Sequence, residues 1–158
     1  MSFKVISGGQ TGIDILGVKL AKEVGLETGG TIGYSRNHYI TECDDGINRD
    51  VFNFTKTGNI YYPYRTEQNV INSDGTVYFA TDADTAGYWC TKKSADKHRK
   101  PFLLNPTDSS VLLSFIKENN IRTLNVAGNR GSKLTLEKTE EATIILMETF
   151  DTIKKMEV

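Results

Sequence analysis

Apolar positions along this chain change period several times, and the changes divide it into elements. Phe3-Lys4-Val5-Ile6-Ser7 has the β-branched and aromatic character of a short strand. From Ile13 to Val24 the period turns helical, with Ile13, Leu16, Leu20, Ala21 and Val24 on one stripe and Lys19, Lys22 and Glu23 off it. Gly25 is placed to end that helix, because glycine accepts the left-handed conformation needed just past a helix end. Leu26 to Ile32 predicts a second strand. Residues 33–63 then lose periodicity, carry turn signals at Asp44-Asp45-Gly46 and Thr57-Gly58-Asn59, and hold six aromatics; we read the stretch as a flap-like insertion, with a surface excursion covering the core edge as the alternative.

Order returns at Arg65 to Val70, one or two helical turns. Thr76 to Ala80 is the clearest buried strand, and a helical run through about His98 follows it. Pro101 to Asn105 predicts a fourth strand. Asp108 opens a helix carrying Val111, Leu112, Phe115 and Ile116, and Thr123 to Gly128 predicts a fifth strand. A last helix, about Leu136 to Lys155, has Ala142, Ile145, Leu146, Thr149 and Ile153 along one side. Strands alternating with helices predict a single α/β domain over residues 1–158, a mostly parallel sheet of about five strands with helices on both faces.

Composition narrows the chemistry. Nineteen basic and 20 acidic residues leave a net charge of −1, which gives no field to gather nucleic acid or an anionic membrane. With no charged-then-apolar leader and no run near 18 apolar residues, the expectation is a cytoplasmic protein. Cys43 and Cys90 form no C-x-x-C pair, and His38 with Cys43 is too few ligands for a metal site.

In a parallel sheet, ligands bind beyond the carboxyl ends of the strands. Three stretches are thereby expected at one edge: Gly8-Gly9-Gln10-Thr11-Gly12-Ile13-Asp14, Thr81 to Gly87, and Gly128 to Ser132. The first is strand, glycine turn, helix, where exposed amides and the helix dipole suit an anion such as phosphate. Its G-G-x-x-G spacing matches neither the dinucleotide fingerprint nor the P-loop. Candidate ligand-binding residues are Gly8, Gly9, Gln10, Thr11, Gly12, Asp14, Arg65, Asn69, Thr81, Thr85, Gly87, Gly128, Asn129, Arg130 and Ser132. Among them Arg65 and Arg130 are the cationic partners for phosphate. Tyr88, Trp89 and the aromatics of 33–63 are available to stack on a base.

Four blocks in order resemble one family: Val5 to Asp14, Tyr64-Arg65-Thr66 with Asn69-Val70, Ser73 to Thr76, and Leu124 to Gly128. Together they look like the putative molybdenum carrier family. It belongs to the SLOG superfamily of Rossmann-like proteins, related to the Lonely Guy phosphoribohydrolases and to the DNA-processing protein DprA. The resemblance implies a Rossmann-like three-layer α/β/α fold, a nucleotide-like ligand on the first glycine loop and a homo-oligomer. The Lonely Guy enzymes depend on a P-G-G-x-G-T-x-x-E motif that is missing from this chain; Asp14, Asp82 and Asp84 are candidates to stand in for its glutamate. The first reading is binding of a nucleotide-derived, phosphate-bearing small molecule, as carrier, sensor or sequestering sponge. The alternatives are N-glycosidic cleavage of a nucleoside 5'-monophosphate and carriage of a molybdopterin-type cofactor; none of the three calls for a metal bound by the protein itself.

Overall fold

A computed structural model describes residues 2–33, 50–57 and 62–157. The elements are β1 (Lys4–Ile6), α1 (Ile13–Glu23), β2 (Glu27–Ile32), β3 (Phe54–Lys56), α2 (Tyr62–Ile71), β4 (Gly75–Phe79), α3 (Ala86–Lys97), β5 (Phe102–Leu104), α4 (Ser109–Glu118), β6 (Thr123–Gly128) and α5 (Leu136–Met156), with a 3-10 turn at Gly131–Lys133 before α5. Among the described residues six strands form one sheet in the order β3-β2-β1-β6-β4-β5, and every pairing between them is parallel. The architecture is the expected Rossmann-like one, with one strand more than the expected five. The extra strand, β3, lies inside the stretch read as aperiodic, and Phe52 and Phe54 from that stretch sit in the core. Residues 34–49 and 58–61, where most of the flap reading and the His38–Cys43 pair fall, lie outside the described residues.

Local chemistry sets the helix starts. Thr85, Asp108 and Thr135 each cap a helix by accepting a backbone N–H three residues on, from Tyr88, Val111 and Lys138. Helix α1 begins without such a cap, at Gly12 with φ 87°. It ends at Gly25, φ 88°, where the Leu26 N–H bonds the Ala21 carbonyl at 3.0 Å.

The two faces of the sheet differ, and the difference makes the site. Val77, Phe79, Leu124 and Val126 join Val5 in the main apolar core with Ile13 and Val18 of α1 and Ala142, Ile145, Leu146 and Phe150 of α5. Strand alternation turns their neighbours Thr76, Tyr78, Asn125 and Ala127 to the opposite face. There Tyr78 packs edge-on against Tyr88 of α3 at 5.3 Å between ring centres and stacks on Phe102 at 6.1 Å. Helices α2 and α3 cover this second face and are joined by Glu67, whose Oε2 lies 2.9 Å from both Lys97 Nζ and His98 Nε2. Sheet centre and helix pair thus leave a polar layer between them.

Candidate functional site

A cleft opens in that layer. It is lined by Gly8, Gln10 and Asp14 from the first loop and helix, Arg65, Thr66 and Asn69 from α2, Gly87 and Thr91 from α3, and Tyr78, Asn125, Ala127 and Gly128 from the sheet. Strand order explains its place. The chain runs outward from β1 through β2 to β3 on one side and from β4 to β5 on the other, so connections diverge around β6. Such a reversal leaves a crevice at the carboxyl ends of the strands. The space enclosed by these residues is about 40 Å3, and its mouth is open to solvent.

Seven predicted residues meet here: Gly8, Gln10, Asp14, Arg65, Asn69, Gly87 and Gly128. The others serve the frame around the cleft. Asn129 accepts the N–H groups of Thr81 (2.7 Å) and Asp82 (3.2 Å) on Oδ1 and donates from Nδ2 to the Asp82 carbonyl (3.1 Å), so it fastens the loop after β4 to the end of β6. Thr11 accepts the Gly131 N–H, Thr81 accepts the Thr135 N–H, and Thr85 caps α3. Arg130 and Ser132 are exposed on the segment leading through the 3-10 turn. Asn69 lines the cleft, but its amide is engaged on both sides with the backbone of Thr31, at 2.7 and 3.0 Å. Removing the amide of Asn129 leaves three backbone groups without their partner. Asn129→Ala is therefore expected to lower unfolding stability by about 2 kcal/mol, read from denaturant melts.

The first loop lies beside a buried acid. Asp14, at the start of α1, turns its carboxyl back onto backbone N–H groups of Gln10, Gly8 and Gly128, and Arg65 Nη1 approaches Asp14 Oδ2 to 3.5 Å. Burial pushes the Asp14 carboxyl up to about 6, against the opposing pull of Arg65 and the three amides. The loop glycines likewise pack against the chain. A Cβ on Gly12 would stand 2.4 Å from the Asn129 carbonyl oxygen, one on Gly8 would stand 1.9 Å from Arg65 Nη1, and one on Gly9 would meet Ile32 at 2.8 Å.

Two further expectations are redirected. Asp82 and Asp84 are exposed on the turn before α3, where Asp82 Oδ1 accepts the Asp84 N–H and Asp84 Oδ1 accepts Trp89 Nε1–H. Neither carboxylate lines the cleft. Tyr88 is buried against Tyr78 and Phe102, and Trp89, though half exposed, is packed edge-on to Tyr88. Neither ring faces the cleft.

Thr66, Tyr78, Thr91, Asn125 and Ala127 escaped sequence reasoning. The available signal was the alternation itself: Thr-Val-Tyr-Phe in β4 and Leu-Asn-Val-Ala in β6 put polar groups on one face of two otherwise buried central strands. Among the described residues, no group of three or more His, Cys, Asp or Glu side chains is arranged to hold a metal ion, and no helix is long and apolar enough to cross a membrane.

Fold and cleft define a doubly wound, Rossmann-like domain with its strands out of the usual sequence. Counting from β6 instead of β1 converts the strand order to 4-3-2-1-5-6, a run outward from one central strand in each direction. Consistent with that, the model of the circularly permutated YpsA SLOG family matches residues 5–150, and the chain belongs to this family. It is also similar to the crystal structure of a putative molybdenum carrier protein from Syntrophus aciditrophicus SB, at 27% identity, with 94% of each chain covered and a TM-score of 0.76. No curated protein matches the chain.

Proposed function

We propose that this protein binds a nucleotide-derived, phosphate-bearing small molecule in the cleft between β6, α2 and α3, as a carrier, sensor or sequestering protein. The observation that carries this is the polar face of two central strands opening at the point where the strand connections diverge. Because Asp14 already engages amides of the first loop, the phosphate belongs at the start of α3. There Gly87 lines the cleft, and helix geometry leaves the amides of Ala86 and Gly87 without a partner inside the helix. Arg65, 5% exposed and facing the same space, offsets negative charge from Asp14 and from the guest.

A second reading has an observation of its own. A buried carboxyl in a cleft, held at about 6, is poised as the acid or base of a hydrolase that adds water at an anomeric carbon and releases a base. Against it, the Asp14 oxygens already face three amides and Arg65. Carriage of a molybdenum-containing pterin rests on the name of the similar bacterial protein; such cargo would be held through its phosphate at the same place.

One assay separates the three. The protein is incubated with nucleoside monophosphates and with molybdopterin, and both melting temperature and released base are followed. Binding without turnover predicts a rise of about 5 °C at ligand one-hundredfold above its Kd. Base release that disappears in Asp14→Asn would replace binding by hydrolysis. A panel in which no nucleotide shifts the melting temperature would refute the nucleotide reading, and a rise with molybdopterin alone would establish the third.

A further inference from the structure

Asn125 is a buried polar residue of the sheet that lines the cleft. It lies in the middle of β6, directly opposite Thr76 of β4 in the register, and is 3% exposed. Its Nδ2 donates to Thr76 Oγ1 at 3.2 Å. A carboxamide has two N–H donors and an oxygen with two acceptor sites, and the Thr76 bond occupies one donor. The remaining N–H and the carbonyl face a space also bounded by Thr91, Arg65 and Tyr78. The next residue on this face of β6 toward the cleft mouth is Ala127, whose small side chain leaves the approach to Asn125 open. A guest that pairs with both the remaining donor and the acceptor is favoured over one that meets only one of them.

We propose that Asn125 is the specificity-determining residue of the cleft and selects a planar base that presents a donor beside an acceptor, the 6-amino purine edge of an adenine nucleotide. This rests on the nucleotide-binding reading above. A carboxamide meets adenine through two antiparallel hydrogen bonds, one from the exocyclic amine to its oxygen and one from its N–H to a ring nitrogen. A 6-oxo purine puts its carbonyl oxygen against the amide oxygen and loses the first bond. Gly87 and Asn125 both line the cleft. Gly128, at the strand tip, is three residues from Asn125, or about 10 Å along the strand.

Calorimetric titration with adenosine 5'-monophosphate and inosine 5'-monophosphate tests this directly, because the two differ at the 6-position. The wild-type protein is expected to bind the adenine nucleotide at least about tenfold more tightly. In Asn125→Leu, which keeps the branched outline but has neither donor nor acceptor, the ratio is expected to fall to within about twofold, with a cooperative melt without ligand showing that the variant is folded. The wild-type ratio stands as a test even if that variant does not fold. Equal wild-type affinity for the two, tighter binding of a 6-oxo nucleotide, or an unchanged ratio in a folded Asn125→Leu would overturn the assignment and leave nucleotide binding intact. Failure of every nucleoside monophosphate to bind would remove the functional reading itself.

Discussion

Gly12→Ala is expected to destabilise the protein by about 3–5 kcal/mol and to lower its melting temperature by roughly 10 °C, before any question of ligand arises. Two independent causes add. Gly12 has φ 87° and ψ −134°, a sparsely populated conformation costing an L-residue about 1–3 kcal/mol. Its added Cβ would also stand 2.4 Å from the Asn129 carbonyl oxygen, 2.7 Å from the Gly131 nitrogen and 2.8 Å from the Arg130 carbonyl carbon. These are backbone atoms and cannot rotate aside. The Asn129 carbonyl accepts the Ile13 N–H at 3.3 Å, so separating the two segments also weakens the start of α1. A glycine that merely cleared the way for a ligand would behave differently, losing affinity in the alanine variant while the unliganded protein melted as before. Thermal melts of the unliganded variant decide the point, and a shift below about 2 °C would contradict the packing described here.

The same close approach shows how this chain builds its cleft. Loops following β1, β4 and β6 are fastened to one another by side chains and carbonyls of their own: Thr11 to Gly131, Asn129 to Thr81 and Asp82, and Thr81 to Thr135. Hydrogen-bonding capacity that looks ready for a ligand in the sequence is largely used to hold the rim rigid. The groups left for a guest lie further in, on the sheet face and on α2 and α3. A rigid rim with a polar interior is the arrangement that limits ordering costs on binding.

Local signals were the legible ones. The strand, glycine turn and helix from Phe3 to Val24, the stop at Gly25 and the cap at Asp108 depend on neighbours within a few residues, and all appear where the sequence puts them. The edge strand β3 was hidden because it has only three residues and follows a polar stretch. Asp14 was visible as a residue at a helix start, but its inward turn depends on Arg65, far along the chain. Asn69 lines the cleft, and its bonds to the backbone of Thr31, distant in sequence, carry no mark there. Asn125 stood within a strand recognised as buried, and only comparison of β6 with β4 reveals that both turn polar groups the same way.

Asp14 supplies the strongest expected dependence on pH. Its folded-state value of about 6 lies above the ordinary 3.8, so the folded protein holds a proton that the unfolded chain has released between those limits. Stability from this group is therefore complete below about pH 4, declines as pH rises through about 6, and is level beyond it. The rise from 3.8 to about 6 corresponds to roughly 3 kcal/mol. Glu67 and Asp108 act in the opposite sense, since hydrogen bonds from His98 and Lys97 and from Ser110 and Val111 hold them below their usual values; they weaken the fold only in more acidic solution. Asp14→Asn removes the titration and leaves those two groups in place. Subtracting the variant's unfolding free energy from that of wild type at each pH should give a difference that falls by about 3 kcal/mol between about pH 4 and pH 7. The subtraction matters because Asp14→Asn also leaves Arg65 beside a neutral amide, a constant offset that drops out of the slope. Parallel curves over that interval would mean that the carboxyl is better hydrated than its burial against Gly8, Gly128 and Arg65 requires, and the hydrolytic reading would lose its acid along with it.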